Sequence, residues 1–258
     1  MIEELLILSG GIIMKKVLSL MAAAVLAISV TGCQKTENDN VLTMATNATF
    51  PPYEFYENEE IVGIDAEIAG KIAEKIGMEL EIVDTEFGSI IAGVQSGKYD
   101  MGMAGLTVTE ERKESVNFTT SYATGIQSII VPEGSEIASL DDLAGKKIGV
   151  QQDTTGHIYA ADEFGDDMVS PFNKGTDAVA ALVAGKVDCV IIDNQPAKSF
   201  VEVNEGLVIL DTDYAVEDYA IAISKNNEEL LTKVNGALEE LIADGTVKTI
   251  IDKYISAE

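Results

Sequence analysis

The chain has 258 residues, of which 47% are hydrophobic and 24% are charged, and its formal net charge at pH 7 is -27. This length and hydrophobic content allow one or two domains with a substantial core. The acidic excess repels phosphate backbones and anionic lipids, which excludes nucleic acid and membrane surfaces as partners.

The first segment, residues 1–33, predicts an export signal that takes no part in the fold. Two lysines precede an apolar run at 17–30, which is too short for an ordinary membrane span and suits a signal peptide. The run leads into Val-Thr-Gly-Cys33, which resembles a bacterial lipobox. That resemblance implies cleavage before Cys33 and attachment of a lipid to its sulfur.

The flanking residues and the rare residue types limit the chemistry further. Residues 1–13 are interpreted as an extension upstream of a start at Met14, and residues 34–40 as a polar tether between lipid and domain. The remaining cysteine, Cys189, lies in an apolar run typical of a buried strand, so no disulfide is expected. With His157 as the single histidine, a zinc site and a Ser/His/Asp triad both lack support. We therefore expect no metal, no cofactor and no enzyme activity.

From Val41 onward, short apolar strands alternate with helical periods. Isoleucines recur at four-residue spacing from Ile64 to Ile76, and Gly77 follows as a stop, which predicts an amphipathic helix. The complete prediction for this part of the chain is strands at 41–45, 80–83 and 101–104 and helices at 64–76 and 90–95. This alternation predicts an α/β domain with a mainly parallel sheet.

The pattern occurs twice. Residues 92–104 match residues 180–192, and each copy runs from a helix end through Gly-Lys-x-Asp into a strand. A looser match relates 41–50 to 147–155. Two matches in the same order predict two lobes built on one plan.

Two crossings between the lobes can be placed. An apolar β-rich segment at 126–131 leads into the second lobe, and 219–224 is predicted as the strand that returns. The tail at 226–255 is predicted to be helical, with an apolar stripe that includes Leu230 and Ile242. Two crossing strands form a hinge for domain closure. The predicted lobes are residues 41–127 with 219–258, and residues 128–218.

A candidate ligand site follows from the single arginine of the chain, Arg112, among sixteen lysines. A guanidinium grips a carboxylate with two parallel hydrogen bonds, which an ammonium does not. Ligands of open α/β sheets bind beyond the carboxyl ends of the strands. Those ends carry segments 47–50, 105–112 and 151–156, together with Asp193. Such a set supplies donors for the carboxylate and an acceptor for the ammonium of a zwitterion.

Several motifs now give a resemblance to a known family. They are Ala45 to Phe55 (ATNATFPPYEF), Gly63-Ile-Asp65, Gly105 to Arg112 (GLTVTEER), Val116-x-Phe-Thr119, Gly149 to Gly156, and Asp193-Asn-x-Pro-Ala197. From about Val41 to Tyr254 the chain resembles family 3 solute-binding proteins, the polar amino-acid receptors of ABC importers. The resemblance implies a two-lobed, periplasmic-binding-protein-like (type II) α/β fold. Each lobe is expected to be a mainly parallel sheet flanked by helices, and two hinge strands to join the lobes.

The same resemblance implies a function. A free α-amino acid is bound outside the cytoplasm and delivered by hinge closure to an ABC permease with its ATPase. The protein is expected to be a monomer whose only membrane attachment is the lipid anchor.

The family roles carry over residue by residue. Arg112 is expected to clamp the ligand carboxylate, and the backbone of Gly105 with Thr107 to bond the ligand backbone. From the second lobe, Thr154 and Thr155 are expected to reach the carboxylate on closure. Thr154 also suits a simple turn residue.

Asp193 is expected to hold the ligand ammonium, and Phe50 and Phe87 to pack around the ligand side chain. Alternatives remain open for each. Asp193 also suits a helix-capping carboxylate at a strand-to-helix turn, and the two phenylalanines also suit the core. Asp65 is expected to be a helix N-cap.

Three departures from the family pattern matter. Asn47 stands where receptors for basic amino acids often carry Asp, which disfavours lysine or arginine. Asp153 stands where the family usually has Gly, and Ile192, just before Asp193, is apolar where some relatives have a polar residue. The neutral amides of Asn47 and Gln151 favour a neutral polar ligand, with glutamine as the best single guess.

Two other classes of protein are weighed against this one. An enzyme on the same scaffold, such as a dehydratase, needs a cleft carboxylate with a raised pKa, and Asp153 or Asp193 are candidates. A ligand-sensing module acting on a partner in trans is the third interpretation.

Overall fold

The computed structural model describes residues 40–212 and 214–255. The predicted signal at 1–33, the upstream extension, Cys33 and tether residues 34–39 lie outside this part of the chain. None of the helices within it is long and apolar enough to cross a membrane.

Within residues 40–212 and 214–255, the strands form three sheets. In chain order they are β1 (Val41–Thr46), β2 (Thr49–Phe50), β3 (Glu54–Glu57), β4 (Glu60–Val62), β5 (Glu79–Asp84), β6 (Met101–Gly102), β7 (Val116–Phe118), β8 (Ala123–Pro132), β9 (Ile148–Gln151), β10 (Val169–Phe172), β11 (Cys189–Asp193), β12 (Leu207–Ile209), β13 (Ala215–Tyr219) and β14 (Ala222–Ser224).

The described α-helices alternate with these strands. They are α1 (Ile64–Ile76), α2 (Ile90–Gln95), α3 (Glu110–Ser115), α4 (Thr155–Phe164), α5 (Gly175–Val183), α6 (Asn194–Val203), α7 (Glu228–Ala243) and α8 (Thr246–Tyr254).

The first large sheet has the order β5-β1-β6-β14-β7, with β1 parallel to both β5 and β6 and with β14 antiparallel to its neighbours. The second has the order β10-β9-β11-β8-β12, with β9 parallel to β10 and β11. Strand β8 is antiparallel to β11 and also pairs with β13. A small antiparallel sheet of β2, β3 and β4 completes the described fold.

Each large sheet has its own hydrophobic core. Helices α1, α7 and α8 pack together beside the first sheet, and their contacts include Ile68 and Leu238, both fully buried. Helices α4, α5 and α6 pack on the second sheet, where Val190 and Ile191 are buried. Helices flank both sheets as predicted. The sheets are mixed rather than mainly parallel, because β14 in the first and β8 in the second pair antiparallel with all of their neighbours.

The internal repeat is visible in matching hydrogen bonds. Asp100 accepts from the backbone N–H of Thr43 at 2.7 Å, and Asp188 accepts from the backbone N–H of Lys147 at 2.8 Å. In each copy the aspartate precedes a strand and ties it to the start of the neighbouring parallel strand, β1 or β9. The two copies of the predicted repeat therefore share an equivalent hydrogen bond.

Three local predictions were wrong. The return strand predicted at 219–224 is two strands, β13 and β14, because the chain changes sheet at Ala220 and Ile221. The tail helix is broken at Gly245, whose φ is 83°, and Ile242 is 39% exposed and so does not belong to the buried stripe. Asp65 is not an N-cap, because that position is Gly63.

Candidate functional site

A cavity lies where the carboxyl ends of the strands of both large sheets converge, and the space in it that water-sized spheres can occupy is about 20 Å³. Its lining residues are Asn47, Phe50, Glu54, Phe87, Ala104, Gly105, Thr107, Gln127, Gln151, Thr154, Thr155, Ile192, Asp193 and Tyr219. This closed arrangement has room for about one water molecule, and its convergent polar side chains are typical of a site that encloses a small ligand.

The cavity is closed by direct contacts between the two sheets. Nε2 of Gln151 donates to Oδ1 of Asn47 at 2.9 Å, which joins the end of β9 to the residue after β1. The hydroxyl oxygens of Thr107 and Thr155 lie 3.5 Å apart across the same gap. These pairs position residues from both halves of the fold around one space.

Arg112 lies next to the cavity but does not line it. Its Nη1 donates to the carbonyl of Thr107 at 2.8 Å, and its Nη2 donates to the carbonyl of Asp153 at 3.2 Å. The guanidinium carbon is 5.4 Å from the ring centre of Phe87, a cation–π distance. The guanidinium therefore contacts both halves of the fold. Burial lowers its pKa, but a guanidinium stays charged in proteins.

Thr154 and Thr155 begin helix α4. The side chain of Thr154 is the N-cap, accepting from the backbone N–H of His157 and donating to the carbonyl of Gln151. The first N–H groups of a helix have no partner inside it, so the start of α4 suits an anion at the cavity wall. Thr154 is thus a turn residue and a lining residue at once.

Asp193 ends β11 and caps α6. Its Oδ1 accepts from the N–H of Gln195 at 3.0 Å, while Oδ2 accepts from the N–H of Ile126 at 2.9 Å and from the hydroxyl of Tyr219 at 2.8 Å. Burial raises the pKa of Asp193 to about 6, and these hydrogen bonds oppose the shift. The capping role weighed from the sequence is therefore present, in a carboxylate that also faces the cavity.

Aromatic rings form one wall. Phe50 stacks on Tyr53 with centroids 5.9 Å apart, and Tyr53 packs edge-on against Tyr219 at 5.3 Å. Gly105 adopts φ 51°, and a Cβ there would lie 2.9 Å from the Phe50 ring. Only glycine therefore fits between this wall and the ligand space without strain.

Glu54 and Asp65 bring two buried carboxyls together behind that wall. Glu54 is 1% exposed and Asp65 is fully buried. Oδ2 of Asp65 accepts from the N–H of Gly105 at 2.9 Å and from the hydroxyl of Tyr122 at 3.0 Å. Burial raises the pKa of Asp65 to about 6 and raises that of Glu54 well above its usual value. The predicted N-cap is thus a buried carboxyl that anchors the cavity backbone.

Comparison with known proteins decides the family. The model for bacterial extracellular solute-binding proteins, family 3, matches residues 42–257. The chain belongs to this family. It is 33% identical to the arginine-binding extracellular protein ArtP of Bacillus subtilis over 260 aligned positions, which cover 95% of this chain and 100% of that protein.

Solved structures of the same class share the fold. An ancestral arginine-binding protein bound to arginine is 40% identical, with a TM-score of 0.79, and the match covers 84% of this chain and 99% of that one. An ancestral arginine-binding protein bound to glutamine is 39% identical, with a TM-score of 0.79 and the same coverage. The chain therefore has the two-lobed fold of the amino-acid-binding proteins of ABC transporters.

Nine of the ten predicted binding residues line the cavity described above, and the tenth, Arg112, lies next to it. Five further residues line the cavity that were not predicted from the sequence to contact the ligand: Glu54, Ala104, Gln127, Ile192 and Tyr219. Glu54 lay inside the Pro-Pro-Tyr-Glu-Phe motif, so the signal was present. A glutamate in a short strand ordinarily faces solvent, and the packing of β3 on α1 buries this one.

Proposed function

We propose that this family 3 solute-binding protein binds a free α-amino acid with a cationic side chain, with arginine as the best-fitting ligand. Closure of the two lobes around the ligand presents it to an ABC permease and its ATPase. Arginine-binding names among the relatives support this proposal. The observation that carries it is the set of unpartnered acceptors in the cavity.

Among the described residues, two buried side-chain oxygens of the cavity wall have no hydrogen-bond partner, Oε2 of Glu54 and Oε1 of Gln151. Both are acceptors, and an unsatisfied buried acceptor is destabilising by about 1–3 kcal/mol. A ligand that fills this space is therefore selected for donors. A guanidinium offers five N–H donors and a positive charge, whereas the amide of glutamine offers two donors and an acceptor of its own.

The charges favour the same ligand. Asp193 and Glu54 both line the cavity. One carboxylate suffices for the ligand ammonium, and we assign that role to Asp193. Glu54 then remains for a second positive charge, at the end of the ligand side chain.

The ligand carboxylate is assigned to Arg112 and the first turn of α4. The guanidinium already donates to Thr107 and Asp153, so it is fixed against both lobes. Together with the N–H groups at Thr155, it forms the proposed cationic end of the site, and Glu54 is assigned to the other end of the ligand. An arginine zwitterion matches this polarity along its length.

Glutamine, the ligand expected from Asn47 and Gln151, is the weaker candidate. Nδ2 of Asn47 donates to the carbonyl of Thr85 at 2.8 Å, and its Oδ1 accepts from Thr49 and Gln151. The two amides that were expected to bind a neutral side chain thus bond largely to the protein and to each other. The glutamine-bound ancestral protein shows that its own site admits an amide.

The test compares arginine with citrulline, which replaces the cationic guanidinium by a neutral urea of the same shape. A charged hydrogen bond contributes about 1.5–3 kcal/mol, so we expect arginine to bind roughly ten- to hundred-fold more tightly in calorimetry. In Glu54→Gln this preference shrinks, whereas in Glu57→Gln, an exposed glutamate on the same strand, it persists. Citrulline or glutamine binding as tightly as arginine to the unaltered protein would overturn the proposal.

An enzyme on this scaffold is the second candidate, because the cavity contains carboxyls with raised pKa values, Glu54 and Asp193. Burial and fixed hydrogen bonds explain both shifts without catalysis. The two functions differ in what happens to the ligand. We expect arginine recovered after long incubation to be chemically unchanged by mass spectrometry, and a new product would favour the enzyme.

We also propose that the protein is attached to the outer side of the cell membrane through lipid on Cys33. The resemblance of Val-Thr-Gly-Cys33 to a lipobox, directly after the apolar run at 17–30, supports this attachment. Cys33→Ser should release the protein into the medium, and mass spectrometry should find a diacylglycerol mass only with Cys33 present. The lobe boundaries, 41–127 with 219–258 and 128–218, remain predictions that hinge-restricting disulfides would test.

A further inference from the structure

Glu54 and Asp65 are neighbouring buried carboxyls, and the backbone N–H of Asp65 donates to the carbonyl of Tyr53, the residue before Glu54, at 2.9 Å. Two ionised carboxylates offer each other only acceptors and repel, so burial of the pair favours a proton on one of them. Each side chain also has one buried oxygen without a donor, Oε2 of Glu54 and Oδ1 of Asp65. One proton between the two carboxyls satisfies both oxygens.

The groups around the two carboxyls determine which of them carries that proton. Asp65 accepts two further hydrogen bonds, from the N–H of Gly105 and the hydroxyl of Tyr122, which stabilise its ionised form. Burial raises the pKa of Glu54, and the negative charges of Asp65 on α1, Asp193 at the end of β11 and Asp84 at the end of β5 raise it further. The neighbouring phenols of Tyr53 and Tyr122 are neutral because burial raises their pKa. The proton therefore belongs to Glu54.

We propose that Glu54 carries a proton donated to Asp65 in the ligand-free protein and releases it to solvent when a cationic amino acid binds. This inference rests on the proposed cationic ligand. The incoming positive charge takes the place of the proton, so the Glu54 carboxyl becomes a carboxylate and the buffer receives one proton. A neutral ligand leaves the proton in place.

The consequence is a linkage between affinity and pH. Between the pKa of Glu54 in the complex and its higher value in the free protein, arginine affinity rises with pH by at most about ten-fold per unit. Citrulline shares the α-amino and carboxyl groups of arginine, and its affinity is expected to be flat over the same range. The pH dependence thus separates a side-chain effect from titration of the ligand backbone.

The test is calorimetry near pH 7 in phosphate and in Tris, whose ionisation enthalpies differ. The difference in observed enthalpy gives the protons released per ligand, which we expect to lie between zero and one for arginine and to be zero for citrulline. In Glu54→Gln the release should vanish. In Asp65→Asn the new amide donates to an ionised Glu54, so arginine should still bind, without proton release and with less dependence on pH.

The outcomes separate the two proposals. Tight arginine binding with no difference between buffers would overturn the shared proton and leave the proposed function standing. Proton release of the same size with citrulline would also overturn it, because the source would then not be the cation site. Failure of arginine to bind at all would overturn the proposed function and the linkage with it.

Discussion

Gly125 on β8 is the position where a single methyl group should weaken ligand binding most selectively. A Cβ there would lie 2.3 Å from the hydroxyl oxygen of Tyr219 and 2.8 Å from Oδ2 of Asp193. Ordinary contacts of this kind are 3.4–4 Å, so Tyr219 must move by about 1 Å in a packed environment. Gly125→Ala therefore breaks the 2.8 Å hydrogen bond between Tyr219 and Asp193.

The magnitude follows from the charge on Asp193. A hydrogen bond to a carboxylate contributes about 1.5–3 kcal/mol, and overpacking adds roughly 1–3 kcal/mol of strain. If the ligand-bound form loses at least the free energy of this hydrogen bond, affinity for the ligand falls roughly ten- to hundred-fold. Calorimetric titration of Gly125→Ala with arginine measures this loss, and circular dichroism confirms that the variant is folded.

Two variants make the test specific. Gly70→Ala introduces the same methyl group inside α1, where no heavy atom lies within 4 Å, and it should raise stability by about 0.5–1 kcal/mol with unchanged affinity. Tyr219→Phe removes only the hydroxyl and should weaken binding in the same direction as Gly125→Ala. A folded Gly125→Ala protein that binds arginine as tightly as the unaltered protein would refute the reasoning.

Three further changes have expected outcomes. Because burial raises the pKa of Asp193 from 3.8 to about 6, ligand-free stability should fall by about 3 kcal/mol as pH rises from 4 through 6, and denaturant titrations of Asp193→Asn should lack this part of the fall. Asp153 has φ 63°, so Asp153→Gly should raise the denaturation midpoint by relieving up to about 1 kcal/mol of strain, and an unchanged or lower midpoint would argue against strain there. Arg112→Lys keeps the charge but loses the two-pronged donor, so arginine affinity should fall at least ten-fold, whereas wild-type affinity would exclude Arg112 from carboxylate binding.

Elements whose signals are local were predictable from the sequence. Helix α1 matches its prediction from Ile64 to Ile76, because the isoleucine spacing sets the buried face and Gly77 ends the helix with φ 74°. Helix α2 also matches. The Gly-Lys-x-Asp repeat predicted equivalent strands in the two lobes. In both copies the aspartate accepts a hydrogen bond from a backbone N–H at the neighbouring parallel strand.

Features that depend on distant contacts were not predictable in the same way. The switch between sheets after Tyr219 depends on which partner strand is available, and Ala220 and Ile221 are apolar residues that continue a strand pattern. Asp65 has the sequence context of an N-cap, yet its partners are Gly105 and Tyr122, far along the chain. Tertiary contacts decided these positions.

Most residues of the candidate site were predicted from the sequence, but its second carboxyl was not. Family motifs placed residues such as Thr107, Gln151 and Asp193 at one cavity, since strand ends converge there. The ligand guess relied on Asn47 replacing an aspartate. It did not include Glu54, which supplies a carboxyl from a neighbouring strand to the same space.

The most direct test of the account is a thermal-shift screen of the purified protein, refolded to remove any bound ligand, against the twenty amino acids and citrulline. A ligand at a hundred times its Kd stabilises by about 2.7 kcal/mol, which is readily seen. The account predicts the largest shift with arginine, a smaller one with lysine, and weaker shifts with citrulline and glutamine. A largest shift with a neutral or acidic amino acid would contradict it.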